Sequence, residues 1–514
     1  MNTVMLIYFG VLAAAVLVYY LVPMRVRWVV LLVFSLLFSA LISTYMIAFF
    51  LFTAVSVYCA TRWGFRCPAE DASASAIKRC DRTNRLVIAL TILLNLAILG
   101  VLKYFNFFGG MFNSLLSLSG TSFRLPALRV MLPLGISFYT LCAIGYMVDI
   151  LRKKYPAERN FGKVCLFLCF FPKILEGPIC RYDQTAPDLF EGHAADYREM
   201  MFGVQRIVWG LFKKIVVADR LFLLVKTVAD APSQYSGVAS LLFMVCYTVQ
   251  LYADFSGFID IALGSSQLFG VRLPENFRQP FFAKSAQEFW QRWHITLGAW
   301  LKEYVFYTVA LSPRVTGPAA KIKKKFRNHF TKMLPTIVAL LAVWLCNGLW
   351  HGPEWKYIVY GLYYFAIITA GMLTAPLFEK LYAKLKIKNP DKNIPLRILR
   401  HVRTLAIILI GETIFGAHTL TDAFTILASL FRPYHGSVFA LGLDMREWLV
   451  ALAGMAVMLA VGIVKERGVC IRAQIARRAL PVRWATYLAM AMFVVVFGAY
   501  GNLYTVVPFI YGTF

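Results

Sequence analysis

The feature that most constrains this chain is a succession of long apolar blocks separated by short loops rich in lysine and arginine. A helix of roughly 20 mostly apolar residues crosses the hydrocarbon core of a bilayer. Because such blocks recur along the whole sequence, the pattern predicts an all-α, polytopic membrane protein with about eleven or twelve transmembrane helices. The predicted spans are Val4–Val22, Trp28–Ile42, Tyr45–Ala60, Leu86–Leu102, Val130–Leu151, Phe202–Val228, Val238–Phe255, Met333–Leu349, Ile358–Leu377, Val402–Ala417, Trp448–Val464 and Trp484–Tyr500.

The charge agrees with a membrane protein. Hydrophobic residues make up 60% of the chain and charged residues only 15%, yet the formal net charge is +27. This balance excludes a disordered chain, a disulfide-stapled secreted module and an ordinary soluble enzyme. Because cytoplasmic loops are enriched in Lys and Arg, we expect the basic loops in the cytoplasm and the N-terminus outside.

The positive charge is spread over loops rather than gathered on one folded face, which argues against nucleic-acid binding. Its densest run ends at Arg327. The run is explained either as a solvated loop on an anionic leaflet or as a dock for an anionic acyl donor or its carrier. The basic residues of the run are Lys321, Lys323, Lys324, Lys325 and Arg327.

The sequence shows no linker and no repeat, so one integral membrane domain is expected over residues 1–514. We divide it into N-terminal spans (1–130), a motif-bearing catalytic core (131–360) and C-terminal spans (361–514).

Two segments do not have the pattern of a membrane span. Val164–Leu175 is too short and predicts a re-entrant piece, whereas Ser285–Tyr304 has an amphipathic helical pattern suited to the interface.

Polar side chains inside apolar segments are costly and are therefore candidates for function. Asn347 and His351 are four residues apart and share one helical face, and Gly352-Pro353 should end that helix directly after the histidine. A neutral imidazole at this position has the chemistry of a general base for a hydroxyl proton. A hydrogen-bonded structural histidine at the end of a span is the alternative.

Weaker candidates lie in two other segments. Arg292 and His294 belong to the amphipathic pattern, where a histidine without a catalytic role is common. Asp254 and Asp260 end a predicted span, and Gly257 between them suggests a broken helix. The two acids are expected to hold that backbone or to pair with Arg292, and a carboxylate acid/base pair is the less favoured alternative.

The sequence has no nucleophile elbow, no phosphate-binding glycine loop and no zinc-protease motif. The cysteines form no C-x-x-C pair, so we expect neither a disulfide framework nor a metal site. Direct transfer assisted by a histidine is the simpler chemistry.

At this point the motifs resemble those of the membrane-bound O-acyltransferase (MBOAT) family, and within it the alginate O-acetylation branch. The likeness is dense from about Met131 to His351. It rests on Pro133-Leu-Gly-Ile-Ser-Phe-Tyr139, Gly177-Pro-Ile-x-Arg-Tyr182, Gln250-x-Tyr-Ala-Asp-Phe-Ser-Gly257, Asn276-Phe-x-x-Pro280 with Phe289-Trp-x-Arg-Trp-His294, Gly348-Leu-Trp-His-Gly352 and the closing Pro508-Phe-Ile-Tyr511.

The resemblance implies that His351 is the family's catalytic histidine and that His294 is the second histidine of this branch. It implies transfer of an acyl group, most simply acetyl, from acetyl-coenzyme A or an acyl carrier protein to a hydroxyl of a cell-surface polysaccharide. No bound cofactor is expected. An extracytoplasmic SGNH-type partner is expected to complete the transfer. Within this chain, the residues expected to support the site are Asn347, Trp350, Asp254 and Arg292.

Some residues depart from the branch. Tyr357-Ile-Val-Tyr-Gly-Leu-Tyr363 is similar to the members that transfer D-alanine to teichoic acid, so a D-alanyl group is the alternative acyl group. A polytopic transporter and a non-catalytic scaffold for an extracellular transferase are the alternatives from other classes.

Overall fold

The structure is a computed structural model that describes residues 3–65, 73–121, 123–128 and 132–500. These residues form helices joined by short connections, and no strand occurs among them. The closing motif Pro508–Tyr511 lies outside the described residues. The all-α expectation is confirmed.

The described residues divide into two compact units, one formed by residues up to 207 together with 258–274, the other by 208–257 together with 275–500. The helices of the first unit are α1 (Thr3–Leu21), α2 (Arg27–Ile42), α3 (Thr44–Arg62), α4 (Ala74–Leu118), α5 (Ile136–Leu151), α6 (Phe161–Cys169), α7 (Phe171–Ile174) and α8 (Tyr182–Phe190). Two helices contribute residues to both units, namely α9 (Tyr197–Leu211) and α11 (Gly237–Gln267).

The second unit contains the remaining helices. They are α10 (Asp219–Asp230), α12 (Ala286–Arg292), α13 (Ile295–Leu301), α14 (Tyr307–Ala310), α15 (Pro313–Lys325), α16 (His329–His351), α17 (Trp355–Lys384), α18 (Ile394–Gly416), α19 (Leu420–Ser429), α20 (Met445–Glu466), α21 (Ile471–Ala476) and α22 (Leu480–Phe497). Two π-helical turns, Phe212–Ala218 and Lys302–Phe306, continue α9 into α10 and α13 into α14.

Within the described residues, nine helices are long and apolar enough to cross a membrane, so the protein is a multi-pass membrane protein. They are Thr3–Leu21, Met24–Ile42, Thr44–Arg62, Ala74–Leu118, Val238–Gln267, His329–His351, Trp355–Lys384, Met445–Glu466 and Leu480–Phe497. Each overlaps a predicted span, and several are longer, most of all Ala74–Leu118 against the predicted Leu86–Leu102.

Three further predicted spans are helical but fall outside these nine. Val130–Leu151 becomes a helix of only 16 residues that begins after the left-handed Gly135. The other two, Phe202–Val228 and Val402–Ala417, lie in helical stretches that carry several charged side chains, among them Lys214 and Arg403. Three of the twelve predicted spans are therefore not among the described helices that are long and apolar enough to cross a membrane.

The segment around the second histidine differs from the expected amphipathic helix. The helical pattern over Ser285–Tyr304 is interrupted at His294, whose backbone is left-handed (φ +46°, ψ +50°). The break expected at Gly257 does not occur, because α11 runs continuously from Gly237 to Gln267. The helix is therefore interrupted at His294 and not at Gly257.

In the first unit the short segment expected to be re-entrant is folded as two helices, α6 and α7, followed by an irregular turn. The residues from Val164 to Cys180 are all buried. They include the charged residues Lys173 and Glu176, so this turn lies inside the protein and is not a surface loop.

Candidate active site

His351 is the last residue of α16, as its sequence context predicts. The next residue, Gly352, is extended (φ 177°, ψ 168°) and lies against the ring of Tyr357, where an added Cβ would come within 2.4 Å of that ring. Pro353 follows and cannot continue the helical hydrogen-bond ladder. The helix therefore ends with the imidazole facing the start of α17, and only glycine fits at position 352.

Four aromatic rings surround His351, which is only 3% exposed. Ring centroids lie at 5.0 Å for Trp350, 4.9 Å for Phe415, 5.9 Å for Tyr360 and 6.3 Å for Tyr357. Phe415 and Tyr360 are nearly perpendicular to the imidazole. The imidazole is therefore enclosed by aromatic side chains from α16, α17 and α18.

Asn347 lies one turn before His351 on α16 and is buried as well. Its side-chain Nδ2 has no hydrogen-bond partner among the described residues. A buried amide donor without a partner costs on the order of 1–3 kcal/mol, so such a group calls for an explanation in a ligand, a water molecule or a reaction step. Its position near His351 fits a donor to developing negative charge.

His294 is fixed by a short stretch from another part of the chain. The amide N–H of Ile295 donates to the carbonyl of Asn276, and the amide N–H of Arg278 donates to the carbonyl of Arg292. The side-chain oxygen of Asn276 accepts from the backbone N–H of Thr296 at 3.0 Å and from the Thr296 hydroxyl at 2.9 Å. These bonds hold the left-handed turn in place between α12 and α13.

The same Asn276 oxygen lies 3.3 Å from Nδ1 of His294. Because the backbone N–H of Thr296 requires an acceptor there, the Nδ1 of His294 must be the donor. Burial lowers the pKa of His294 to about 3. The ring is therefore neutral at ordinary pH, with hydrogen on Nδ1 and the lone pair on Nε2.

The indole of Trp350 links the two histidines. Its ring centroid lies 5.5 Å from that of His294 and 5.0 Å from that of His351. On its other side His294 packs edge-on against Phe255, at 4.8 Å. The structure thus brings His294, Trp350 and His351 together, although 57 residues of sequence separate the two histidines.

Asp254 lies beside this group but faces an ionic network. Lys214 Nζ is 2.6 Å from Oδ1 of Asp254 and 2.9 Å from Oδ1 of Asp219, and all three side chains are largely buried. On the same π-helical turn, Lys213 donates to the Ser256 hydroxyl at 2.8 Å. Asp254 therefore contributes by anchoring α11, the helix that carries Phe255 against His294.

Arg292 is tied to acids on the surface of its unit. It pairs with Glu288 on its own helix and with Glu466 at the end of α20, both at 2.8 Å. The other predicted acid, Asp260, lies in the first unit and pairs with Arg206 at 2.8 Å. The ion pair with Glu466 joins α12 to the end of α20.

The basic run is exposed and lies at the end of α15 and in the connection to α16. Among the described residues none of its five basic side chains has an ion pair with an acid. These side chains are Lys321, Lys323, Lys324, Lys325 and Arg327.

Three residues at the site were missed by the sequence analysis. Tyr360 and Phe415 look like ordinary apolar-span aromatics, and Glu412 lies inside the predicted span Val402–Ala417. In the structure the Tyr360 hydroxyl donates to Glu412 Oε1 at 3.2 Å. A lone carboxylate in an apolar block was the signal available in the sequence.

Comparison with known proteins gives one family. The sequence model described as "MBOAT, membrane-bound O-acyltransferase family" matches residues 157–386, which contain both histidines. That range also includes Asn276, Asn347 and Tyr360.

Three known proteins are similar to this chain over long stretches. The probable alginate O-acetylase of Azotobacter vinelandii is 31% identical over 80% of this chain and 74% of its own length. The peptidoglycan O-acetyltransferase of Helicobacter pylori is 31% identical over 54% of each chain. The teichoic acid D-alanyltransferase of Bacillus subtilis is 29% identical over 49% of this chain and 61% of its own. Each of these three names describes an acyl-transferring enzyme.

Proposed function

Because the chain belongs to the membrane-bound O-acyltransferase family and is an O-acyltransferase, we propose that it transfers an acetyl group to a hydroxyl of a cell-surface or exported polysaccharide. The donor is a cytoplasmic thioester, either acetyl-coenzyme A or an acyl carrier protein. The proposal is supported by the names of the two O-acetylating relatives, whose substrates are alginate and peptidoglycan. The observation that carries it is the buried His351 at the end of α16, inside the family-matching region.

In the proposed reaction His351 is the general base. Its neutral imidazole accepts the acceptor's hydroxyl proton as the hydroxyl oxygen attacks the thioester carbonyl carbon. The tetrahedral intermediate collapses, the carbon–sulfur bond breaks, and the departing sulfur takes the proton from His351. The products are an ester and a thiol, and no further reactant is needed.

Asn347, one turn before His351 on α16, donates to the oxyanion of that intermediate in this proposal, with Trp350 as the alternative. Removing one oxyanion donor typically costs about 2.7–4 kcal/mol of transition-state stabilisation. His294 is neutral, with its acceptor nitrogen Nε2 opposite the bonded Nδ1. We assign it to orienting the reacting thioester or hydroxyl across Trp350.

Substitution of His351 by alanine tests the assignment. We expect cells that depend on His351→Ala protein to lose ester-linked acyl groups from the surface polysaccharide while the protein still accumulates in the membrane. His329→Ala is the matched control, because His329 is an exposed histidine at the other end of the same helix. Full acylation with His351→Ala would overturn the proposal.

The acyl group itself is decided by mass spectrometry of groups released by mild alkali from surface polysaccharide, with and without this protein. Loss of acetate on deletion supports the proposal. Loss of D-alanine would instead place the chain with its teichoic acid relative, which is 29% identical over 49% of this chain.

Three elements complete the proposal. The exposed basic run at the end of α15 attracts the phosphates of coenzyme A or the acids of a carrier protein. The protein lies in the bacterial cell membrane with its N-terminus outside, as the distribution of basic loops predicts. An extracytoplasmic SGNH-type transferase receives the acyl group, and co-purification with the full-length chain tests for it.

A further inference from the structure

A buried carboxylate close to His351 has no role in the reaction described above. Glu412 lies in α18, is 1% exposed, and belongs to an otherwise apolar stretch of that helix. Keeping an ionisable side chain in such surroundings is costly, which favours a function. Its two oxygens have different environments: Oε1 accepts the Tyr360 hydroxyl, and Oε2 has no hydrogen-bond partner among the described residues.

The contacts lead from Glu412 to His351 by two routes. Tyr360, whose hydroxyl is bound to Glu412, places its ring at 90° to the His351 imidazole with centroids 5.9 Å apart. Phe415, on the same helix as Glu412, packs at 4.9 Å from the imidazole and 5.1 Å from the Tyr360 ring. The carboxylate thus fixes one of the rings that define the plane of the imidazole.

We infer that Glu412 is a positioning residue, which holds Tyr360 by its hydroxyl and through Tyr360 holds His351 in its reactive orientation. This inference rests on the proposed role of His351 as general base. Its physical reason is geometric, since an error of about 1 Å in a reacting group can lower a rate about 10²-fold. A tyrosine bonded at its hydroxyl is held at both ends, whereas a phenylalanine at the same place is held only by packing.

The same two helices carry a second tyrosine bond that does not reach the site. Tyr363 of α17 donates its hydroxyl to the carbonyl of Ile407 in α18 at 2.9 Å. Tyr363 therefore joins α17 to α18 as Tyr360 does, but without a ring against His351. Tyr363→Phe is a matched control for losing one interhelical tyrosine bond.

The test compares variants in cells lacking the native copy, with alkali-released acyl groups on surface polysaccharide measured per membrane-inserted protein. We expect Tyr360→Phe and Glu412→Ala each to lower acylation about tenfold, as expected for losing one hydrogen bond that orients a catalytic group. The double variant should be no worse than the poorer single variant, because both break the same link. Tyr363→Phe should match the wild type.

Glu412→Gln separates positioning from charge. The glutamine keeps a carbonyl oxygen where Oε1 accepts the tyrosine hydroxyl, so we expect acylation within about threefold of wild type. Wild-type acylation in Tyr360→Phe would overturn the inference, and so would a Glu412→Gln loss as severe as that of Glu412→Ala. If Glu412→Ala fails to accumulate, Tyr360→Phe and Glu412→Gln decide alone.

His351→Ala in the same assay distinguishes the two proposals. If that variant still acylates, the proposed function is wrong whatever the others do. If it is inactive while Tyr360→Phe and Glu412→Ala are normal, the inference about Glu412 fails by itself.

Discussion

The side-chain oxygen of Asn276 accepts three hydrogen bonds, from the His294 imidazole and from the backbone and hydroxyl of Thr296. A left-handed backbone costs an L-residue other than glycine roughly 1–2 kcal/mol, and here these bonds offset that cost. One amide oxygen therefore fixes a helix boundary and the tautomer of a buried histidine together. The sequence motif shows the two residues 18 positions apart, but no local pattern shows that they touch.

The lowered pKa of His294 makes a prediction about stability. In the folded protein this pKa is about 3, whereas an unfolded histidine titrates near about 6.5. Between these values the unfolded chain binds the extra proton, so the free energy of unfolding falls as pH decreases from about 6.5. We expect the unfolding midpoint of detergent-solubilised wild type to drop more from pH 7.5 to pH 5.0 than that of His294→Gln. Equal drops would show that His294 is not buried in its neutral form.

At the scale of elements, the π-helical turn Phe212–Ala218 places Lys214 between two carboxylates in the interior of its unit. Removing one member of a buried ion pair typically costs about 3–5 kcal/mol, because a charge is left unpaired. An exposed pair contributes about 0–1 kcal/mol.

Lys214→Ala is therefore expected to lower the thermal unfolding midpoint strongly and to reduce the amount of protein in the membrane. Lys226→Ala is the matched control, since Lys226 pairs with Asp230 at the end of the adjoining α10 in an exposed position. Similar midpoints for the two variants would contradict the importance of the buried network.

The basic end of α15 makes a second element-scale prediction. Reversing three charges with K323E/K324E/K325E should raise the KM for acetyl-coenzyme A at least about tenfold, since roughly 1 kcal/mol is involved for each charge near an anionic partner. The kcat should stay unchanged, and the effect should shrink in high salt. K380E/K384E at the exposed end of α17 is the control, and an equal KM in both variants would exclude donor docking at α15.

The helices were predictable where one physical rule dominated. Long apolar blocks became the nine candidate spans, and Gly352-Pro353 ended α16 at His351 as expected. The prediction was wrong where distant residues decide. Gly257 did not break α11; it lies where an added Cβ would come within 2.9 Å of the Gly210 carbonyl oxygen. The helix is interrupted instead at His294, which Asn276 contacts. Glu412 was overlooked because its role depends on Tyr360, 52 residues away.

At the scale of the whole molecule, the orientation in the membrane remains a prediction from the basic loops. Cys470 is an exposed cysteine within the basic segment Lys465–Arg483. In a variant with Cys470 as its single cysteine, an impermeant maleimide should label inverted vesicles but not intact spheroplasts. A single cysteine at Thr3→Cys should show the opposite result. Labelling of Cys470 from outside would reverse the predicted topology.

The helix α4 has a mechanical consequence. Its 45 residues span about 68 Å at 1.5 Å per residue, roughly twice the hydrocarbon thickness of a bilayer. Even at a tilt of about 40° it would rise about 52 Å along the membrane normal. Because the helix is continuous, a displacement of one end along its axis must move the other end as well. Deleting seven residues from its middle would shorten the helix by about 10 Å and rotate its far end about the helix axis by only about 20°.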